Sequence, residues 1–176
     1  KNRIEMKKAL ICGYSGFIGQ RLSVFLKKSG FDTEPLTRGM LKMPDEELSS
    51  IISKYDVVIN LAGKSLFSLW TKKQKRQIVD SRIATTNKIV RAVQMAGTKP
   101  KAFIQISAVG IYNYSGCHTE ESNGFNTDFT GFLCKEWEKE ALDKERNKTI
   151  IKKEEVVKIV SHIEVATPNI QNIFFS

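Results

Sequence analysis

A chain of 176 residues, 41% apolar and 27% charged, is long enough to bury one ordinary core and too mixed in composition for a disordered or fibrous protein. No apolar run approaches the roughly 18–20 residues of a membrane span, and three widely spaced cysteines, Cys12, Cys117 and Cys134, do not make a disulfide framework. The net charge of +9 would attract phosphate or nucleic acid. Part of that charge, however, sits among helix formers at Lys72-Lys73-x-Lys75-Arg76 and Lys152-Lys153, without the interleaved aromatic residues that stack bases. Solvated helix faces are expected, with neither a nucleic-acid nor a membrane partner.

In chain order, Lys8-Ala9-Leu10-Ile11-Cys12 is an apolar run that ends at a glycine, the pattern of a fully buried strand. Gly13, Tyr14, Ser15 and Gly16 interrupt it too soon for a signal peptide, so a cytoplasmic location is expected. Residues 17–29 have helical spacing, with Phe17, Ile18, Leu22, Phe25 and Leu26 on one stripe and Gly30 as the stop. A second strand is expected over 31–37, although Pro35 fits a ladder poorly. A helix over 45–53 and a buried strand over 56–61 follow.

The pattern then predicts one long helix from Lys72 to Met95, a strand over 101–107, a polar turn-rich stretch over 111–127 and a helix over 128–145 around Phe132, Leu133, Trp137 and Leu142. Strands alternating with helices imply βαβ units and a parallel sheet covered on both faces, a doubly wound α/β fold with right-handed crossovers. Cys117-His118 are adjacent, a poor chelating geometry, so no metal is expected.

The chemistry concentrates in Gly13-Tyr14-Ser15-Gly16-Phe17-Ile18-Gly19, between the first strand and the first helix. Gly13 permits the tight turn, Gly16 lets the backbone approach a pyrophosphate, and Gly19 allows the helix to pack closely on the strand. The helix N-terminus then presents its N–H groups and positive dipole end to the phosphates. A carboxylate at the tip of the second strand would select NAD. This strand ends Leu36-Thr37-Arg38, and a guanidinium there suits the 2′-phosphate of NADP.

These residues, with Val58-Ile59-Asn60-Leu61-Ala62-Gly63, Trp70-Thr71, Ser81-Arg82-Ile83, Thr85-Thr86, Ser107-Ala108-Val109-Gly110-x-Tyr112 and Cys134-x-x-Trp137-Glu138, resemble the extended, epimerase-like short-chain dehydrogenase/reductases. Within them the likeness is to the NAD-dependent epimerase/dehydratase-like "epimerase family protein" subgroup, sometimes labelled a cell-division inhibitor, over residues 7–142. The resemblance implies a Rossmann-type sheet with NADP at the carboxyl ends of its strands. Gly13, Gly16 and Gly19 would surround the pyrophosphate, with contacts from Ser15, Phe17 and Ile18. Arg38 would meet the 2′-phosphate. Leu61, Ala62 and Gly63 would pass the adenine-side ribose, Arg82 would stand where many relatives have asparagine, also as a cofactor contact, and Ser107 and Tyr112 would lie near the nicotinamide as the candidate catalytic pair.

Departures from the superfamily bear on turnover. No tyrosine has a lysine four residues on, and Thr130 and Cys134 occupy the place of the Tyr-x-x-x-Lys pair. Ala108 holds the catalytic serine position. The resemblance also leads to the expectation that segments are missing, a strand after Arg38 and part of the C-terminal substrate-binding portion. Residues 6–148 would be the NAD(P)-binding domain and 149–176 a remnant of that portion. Three functions follow: an oxidoreductase or epimerase with an atypical site, acting on a small molecule the sequence does not identify; a non-catalytic NADP-binding sensor or regulator; and, last, a nucleic-acid binder.

Overall fold

The computed structural model describes residues 6–64, 71–113, 115, 118 and 125–142. Four parallel strands, β1 (Lys7–Cys12), β2 (Phe31–Leu36), β3 (Val57–Asn60) and β4 (Ala102–Gln105), lie in the order β2-β1-β3-β4. Between them run α1 (Phe17–Lys28), α2 (Asp45–Ile52), α3 (Lys72–Val79) and α4 (Thr85–Met95), and α5 (Phe129–Leu142) follows β4. The fold is Rossmann-like, as the alternation of strands and helices predicts. The order reverses beside β1, so the carboxyl ends of β1 and β3 open the crevice in which such sheets bind ligands.

Both faces of the sheet are covered. Leu10 and Cys12 of β1, Val58 of β3 and Phe103 of β4 pack with Leu48 and Ile52 of α2 and Ile89, Val90 and Val93 of α4. On the opposite face, Ile11, Ile59 and Ile104 meet Leu22 and Leu26 of α1. Adjacent residues of one strand therefore enter different cores, which is why these strands read as unbroken apolar runs. Each fully buried Leu or Ile contributes roughly 1.5–3 kcal/mol of transfer free energy.

Pro35 is accommodated because β2 is an edge among the described strands: it stands opposite Ile11, and an edge strand tolerates a residue that cannot donate. Side-chain burial in two helices differs from the sequence-based expectations. The inward face of α1 is built on Gly19, Leu22 and Ser23, while Phe17 and Phe25 are 48% and 42% exposed. The backbone at Gly19 presses so closely on the glycine turn that the contact stripe rotates toward it. Phe132, likewise, is 57% exposed, whereas Leu133 and Trp137 are buried.

The long helix over 72–95 is broken by one wide turn of π geometry, Asp80–Ala84. Ser81 supplies a cause: its hydroxyl donates to the Ile78 carbonyl at 2.8 Å and accepts the Lys64 N–H at 3.0 Å. Such bonding back to the preceding turn competes with the helical ladder. Strand β4 is also shorter than 101–107, ending at Gln105. No strand stands between β2 and β3 among the described residues; a short 3-10 turn, Met40–Lys42, leads from β2 to α2. Among the described residues no helix is long and apolar enough to cross a membrane.

Candidate functional site

The glycine turn sits at the end of β1 with Gly13 at φ +83°, a conformation that costs other residues roughly 1–2 kcal/mol. A Cβ at Gly13 would lie 2.9 Å from the Leu61 carbonyl group, and one at Gly19 would lie 2.2 Å from the Gly13 oxygen and 2.7 Å from that of Tyr14. At Gly16 the nearest atom would be the Gly13 oxygen, at 3.2 Å. Gly13 and Gly19 are thus required by backbone packing, the first against the chain leaving β3 and the second against the turn itself.

Gly16 caps α1 with no side-chain hydrogen bond, and the first turn contains no acid. Its N–H groups and dipole are left to an anion. Ser15 and Phe17 are exposed and Ile18 is half-buried at this mouth, and Gln20 Nε2 steadies the turn by donating to the Ser15 carbonyl at 2.9 Å. This cradle fits a pyrophosphate. Arg38, exposed, follows the tip of β2 in a turn where Thr37 Oγ1 accepts the Met40 N–H at 3.3 Å. Leu61, Ala62 and Gly63 leave β3 beside the glycine turn, with the Leu61 N–H donating to the Cys12 carbonyl at 2.9 Å. The residues predicted for the cofactor therefore converge from β1, β2 and β3 on one edge of the sheet.

Beneath them lies a buried polar network that the sequence reading did not assign. Asn60 Nδ2 donates to Thr86 Oγ1 at 3.0 Å and to Gln105 Oε1 at 2.7 Å, while Asn60 Oδ1 accepts the Ala62 N–H at 3.1 Å. Trp137 Nε1 donates to Thr86 Oγ1 at 2.9 Å, and Thr86 Oγ1 donates to Gln105 Oε1 at 3.2 Å. Residues from β3, α4, β4 and α5 are tied at one point. The only sequence signal was the presence of Asn60, Thr86 and Trp137 among the matched motifs; separations of 19 to 51 positions between the paired side chains hide the pairing itself.

Arg82 lies on the π turn, between the β3 exit and α5. Its Nη1 donates to the Lys64 carbonyl at 3.0 Å, and its guanidinium lies 5.2 Å from the Trp137 ring centroid. A Cβ on Gly63 would come within 3.0 Å of that guanidinium. Burial presses its pKa below the usual arginine value.

The candidate pair near the nicotinamide end divides. Ser107 Oγ donates to a carboxylate oxygen of Glu138, a partner the sequence reading missed. Tyr112 instead stacks between His118, at 5.1 Å, and Phe125, at 6.4 Å. Thr130, whose Oγ1 donates to Asp128 Oδ1 at 2.6 Å, and Cys134, buried and with its thiol pushed up to about 11 by desolvation, stand one turn apart on α5. A Cβ at Gly110 would meet Thr130 Cβ at 3.2 Å and Cys134 Sγ at 4.0 Å, so the loop after β4 lies against both. Cys12 is the other free buried cysteine among the described residues, also raised to about 11 by desolvation.

A parallel sheet with a glycine cradle at its switch point defines a dinucleotide-binding protein of the Rossmann type. Residues 9–128 match the NAD dependent epimerase/dehydratase family, and the chain belongs to it. It is 38% identical over 146 residues to Epimerase family protein YfhF of Bacillus subtilis (strain 168), covering 73% of this chain and 47% of that protein. With Epimerase family protein SDR39U1 of Mus musculus it shares 31% over 139 residues, covering 74% and 47%. The crystal structure of human epimerase family protein SDR39U1 (isoform2) with NADPH aligns at TM-score 0.67 and 27% identity, over 76% of this chain and 48% of that one. The chain thus spans about half the length of the relatives it matches. At 21% identity and TM-score 0.65, UDP-Glucuronic acid 4-epimerase from Bacillus cereus, in complex with UDP-Glucuronic acid and NAD, shares the fold, over 81% of this chain and 54% of that one. The chain is an NAD(P)-binding member of the epimerase and short-chain dehydrogenase/reductase group.

Proposed function

We propose that the chain holds NADP and serves an oxidoreductase or epimerase of the nucleotide-sugar-epimerase kind, acting on an unidentified small molecule without a Tyr-x-x-x-Lys pair. The observation behind the choice of NADP is Arg38 at the tip of β2, with no acid on the described turn from Thr37 to Met43. A guanidinium suits a 2′-phosphate, and a carboxylate there would repel it. That the human relative was crystallised with NADPH agrees with this reading.

The bound nicotinamide would supply hydride chemistry. The chain's own residues do the rest. Gly13, Gly16 and the first turn of α1 hold the pyrophosphate; Arg38 holds the phosphate of the adenosine end; Leu61 to Gly63 line the ribose path. Ser107, fixed by Glu138, offers a hydroxyl at the carboxyl edge of β4 that would orient a substrate carbonyl or hydroxyl, and Tyr112 supplies an aromatic wall.

A second reading, a non-catalytic NADP sensor, is favoured by Thr130 and Cys134. Neither replaces the proton-transferring tyrosine: the threonine hydroxyl is committed to Asp128 and the cysteine is buried and protonated. Separate titrations of NADPH and NADH against wild type and Arg38→Ala test the cofactor assignment. Tight NADPH binding that weakens on substitution, with NADH weak throughout, is the expected result. Equal affinity for both nucleotides, unmoved by the substitution, would refute it. Turnover with a panel of carbonyl substrates separates the two readings.

A further inference from the structure

Arg82 is only partly accounted for by the packing around it. The guanidinium is half-buried, 5.2 Å from the Trp137 ring centroid, yet it has no carboxylate partner among the described residues. Of its five N–H donors, only Nη1 is engaged there, by the Lys64 carbonyl. The nearby acid on α5, Glu138, accepts from Ser107 instead. Partial burial of a charge without a counterion carries a cost, and this one is held in place by a distorted helix turn. Wide π turns recur at functional positions.

The chain has built a frame for this guanidinium. Ser81 Oγ accepts the Lys64 N–H while Arg82 donates to the Lys64 carbonyl, so consecutive π-turn residues grip both sides of one peptide residue. Gly63 has no side chain to fill the space against the guanidinium. Lys64 adds a second positive charge, its Nζ donating only to the neutral side-chain amides of Gln74, at 3.0 Å, and Gln77 among the described residues. Nearby, Lys75 Nζ lies 4.9 Å from the Phe129 ring at the start of α5. Arg82 and Lys64 thus place two positive charges at the rim between the β3 exit and α5, with no carboxylate ion-paired to either among the described residues.

We propose that Arg82 binds an oxyanion of the substrate, a carboxylate or a phosphate, and so restricts the substrate to anionic carbonyl or hydroxy compounds. The inference rests on the nicotinamide-nucleotide reading above only for where the reacting carbon lies. A planar guanidinium whose Nε and Nη2 carry no hydrogen bond among the described residues matches a two-oxygen acceptor. This assigns Arg82 to substrate in place of the cofactor contact that the resemblance implies.

Calorimetric titration of the NADPH-loaded full chain with oxamate, with its neutral counterpart oxamide and with inorganic phosphate tests the proposal. Wild type should bind oxamate or phosphate at least about tenfold more tightly than oxamide; which anion prevails identifies the source of the oxyanion. Arg82→Gln should erase that preference and Arg82→Lys should keep part of it, both leaving NADPH affinity within about twofold. Should Arg82→Gln cost NADPH affinity instead, or should wild type not distinguish oxamate and phosphate from oxamide, the proposal is overturned. If wild type fails to bind NADPH, the cofactor reading falls, and the same titrations on the unloaded chain still decide: Arg82-dependent anion binding upholds the proposal and its absence sinks it. Unchanged far-UV circular dichroism confirms that each variant is folded.

Discussion

Asn60 and Thr86 meet at the floor of the crevice, the Asn60 amide donating to the Thr86 hydroxyl at 3.0 Å with both side chains fully buried. The bond joins the last residue of β3 to the first turn of α4. Because Asn60 also holds the Ala62 N–H, it sets the direction in which the chain leaves the sheet toward Gly63. Stability and site geometry are therefore coupled at this point.

Thr86→Val keeps the volume and deletes the hydroxyl, leaving the Trp137 indole N–H without its acceptor. We expect a loss of about 1–3 kcal/mol in urea unfolding. Trp137→Phe in the same background should cost less than it does alone, with a coupling of at least about 0.5 kcal/mol in a double-mutant cycle. Additive losses would mean that the indole bond contributes nothing.

Gly19→Ala places a methyl group 2.2 Å from a backbone oxygen, and α1 must move away from the turn. Destabilisation of about 1–3 kcal/mol is expected, with NADPH binding weakened by on the order of tenfold, about 1.4 kcal/mol. Gly97→Ala is the control, since nothing lies within 4 Å of its new carbon; it should change stability by less than about 0.5 kcal/mol. Thermal melts and nucleotide titration measure both effects.

Asp45 begins α2 and is clasped by Lys88, at 2.5 Å, and by Arg91, both on α4. The Lys88 hydrogen bond, helped by the charges of Lys88 and Arg91, holds its carboxyl below the usual value of 3.8. A depressed folded pKa means that this stabilisation is fully present above the unfolded value and disappears as pH falls through the folded one. Asp45→Asn should therefore lower stability at pH 7, by up to about 1 kcal/mol for a cluster at the protein surface in which Arg91 is largely exposed. The deficit should vanish in the acid limb, below the folded value. A deficit of the same size at pH 7 and in the acid limb would assign the loss to packing.

Cys12 and Cys134 both have thiols raised to about 11, and the thiolate is the reactive form. Iodoacetamide at pH 8 should leave both unlabelled in the folded chain and label both in denaturant, read by peptide mass spectrometry. Rapid native labelling of Cys134 would show that the loop around Gly110 opens.

The glycine turn and the parallel sheet were legible because both depend on local spacing: three glycines between an apolar run and a helix leave few alternatives. The stripe on α1 was misread because the pattern weighs side chains, and here the closest contact is made by Gly19, which has none. The break in the helix was hidden because Ser81 suits a helix surface until it is known that Lys64 reaches it from seventeen residues back. The pairing of Ser107 with Glu138 spans 31 positions and has no local signature. Such relations come from the crossovers, not from the segments they join.

Pro35 has a consequence beyond its own strand. An edge strand that carries a proline and also exposes Glu34 is a poor template for a further strand from any chain. A strand added there in engineering, or a neighbour pairing by accident, would meet a residue that cannot donate beside an exposed carboxylate.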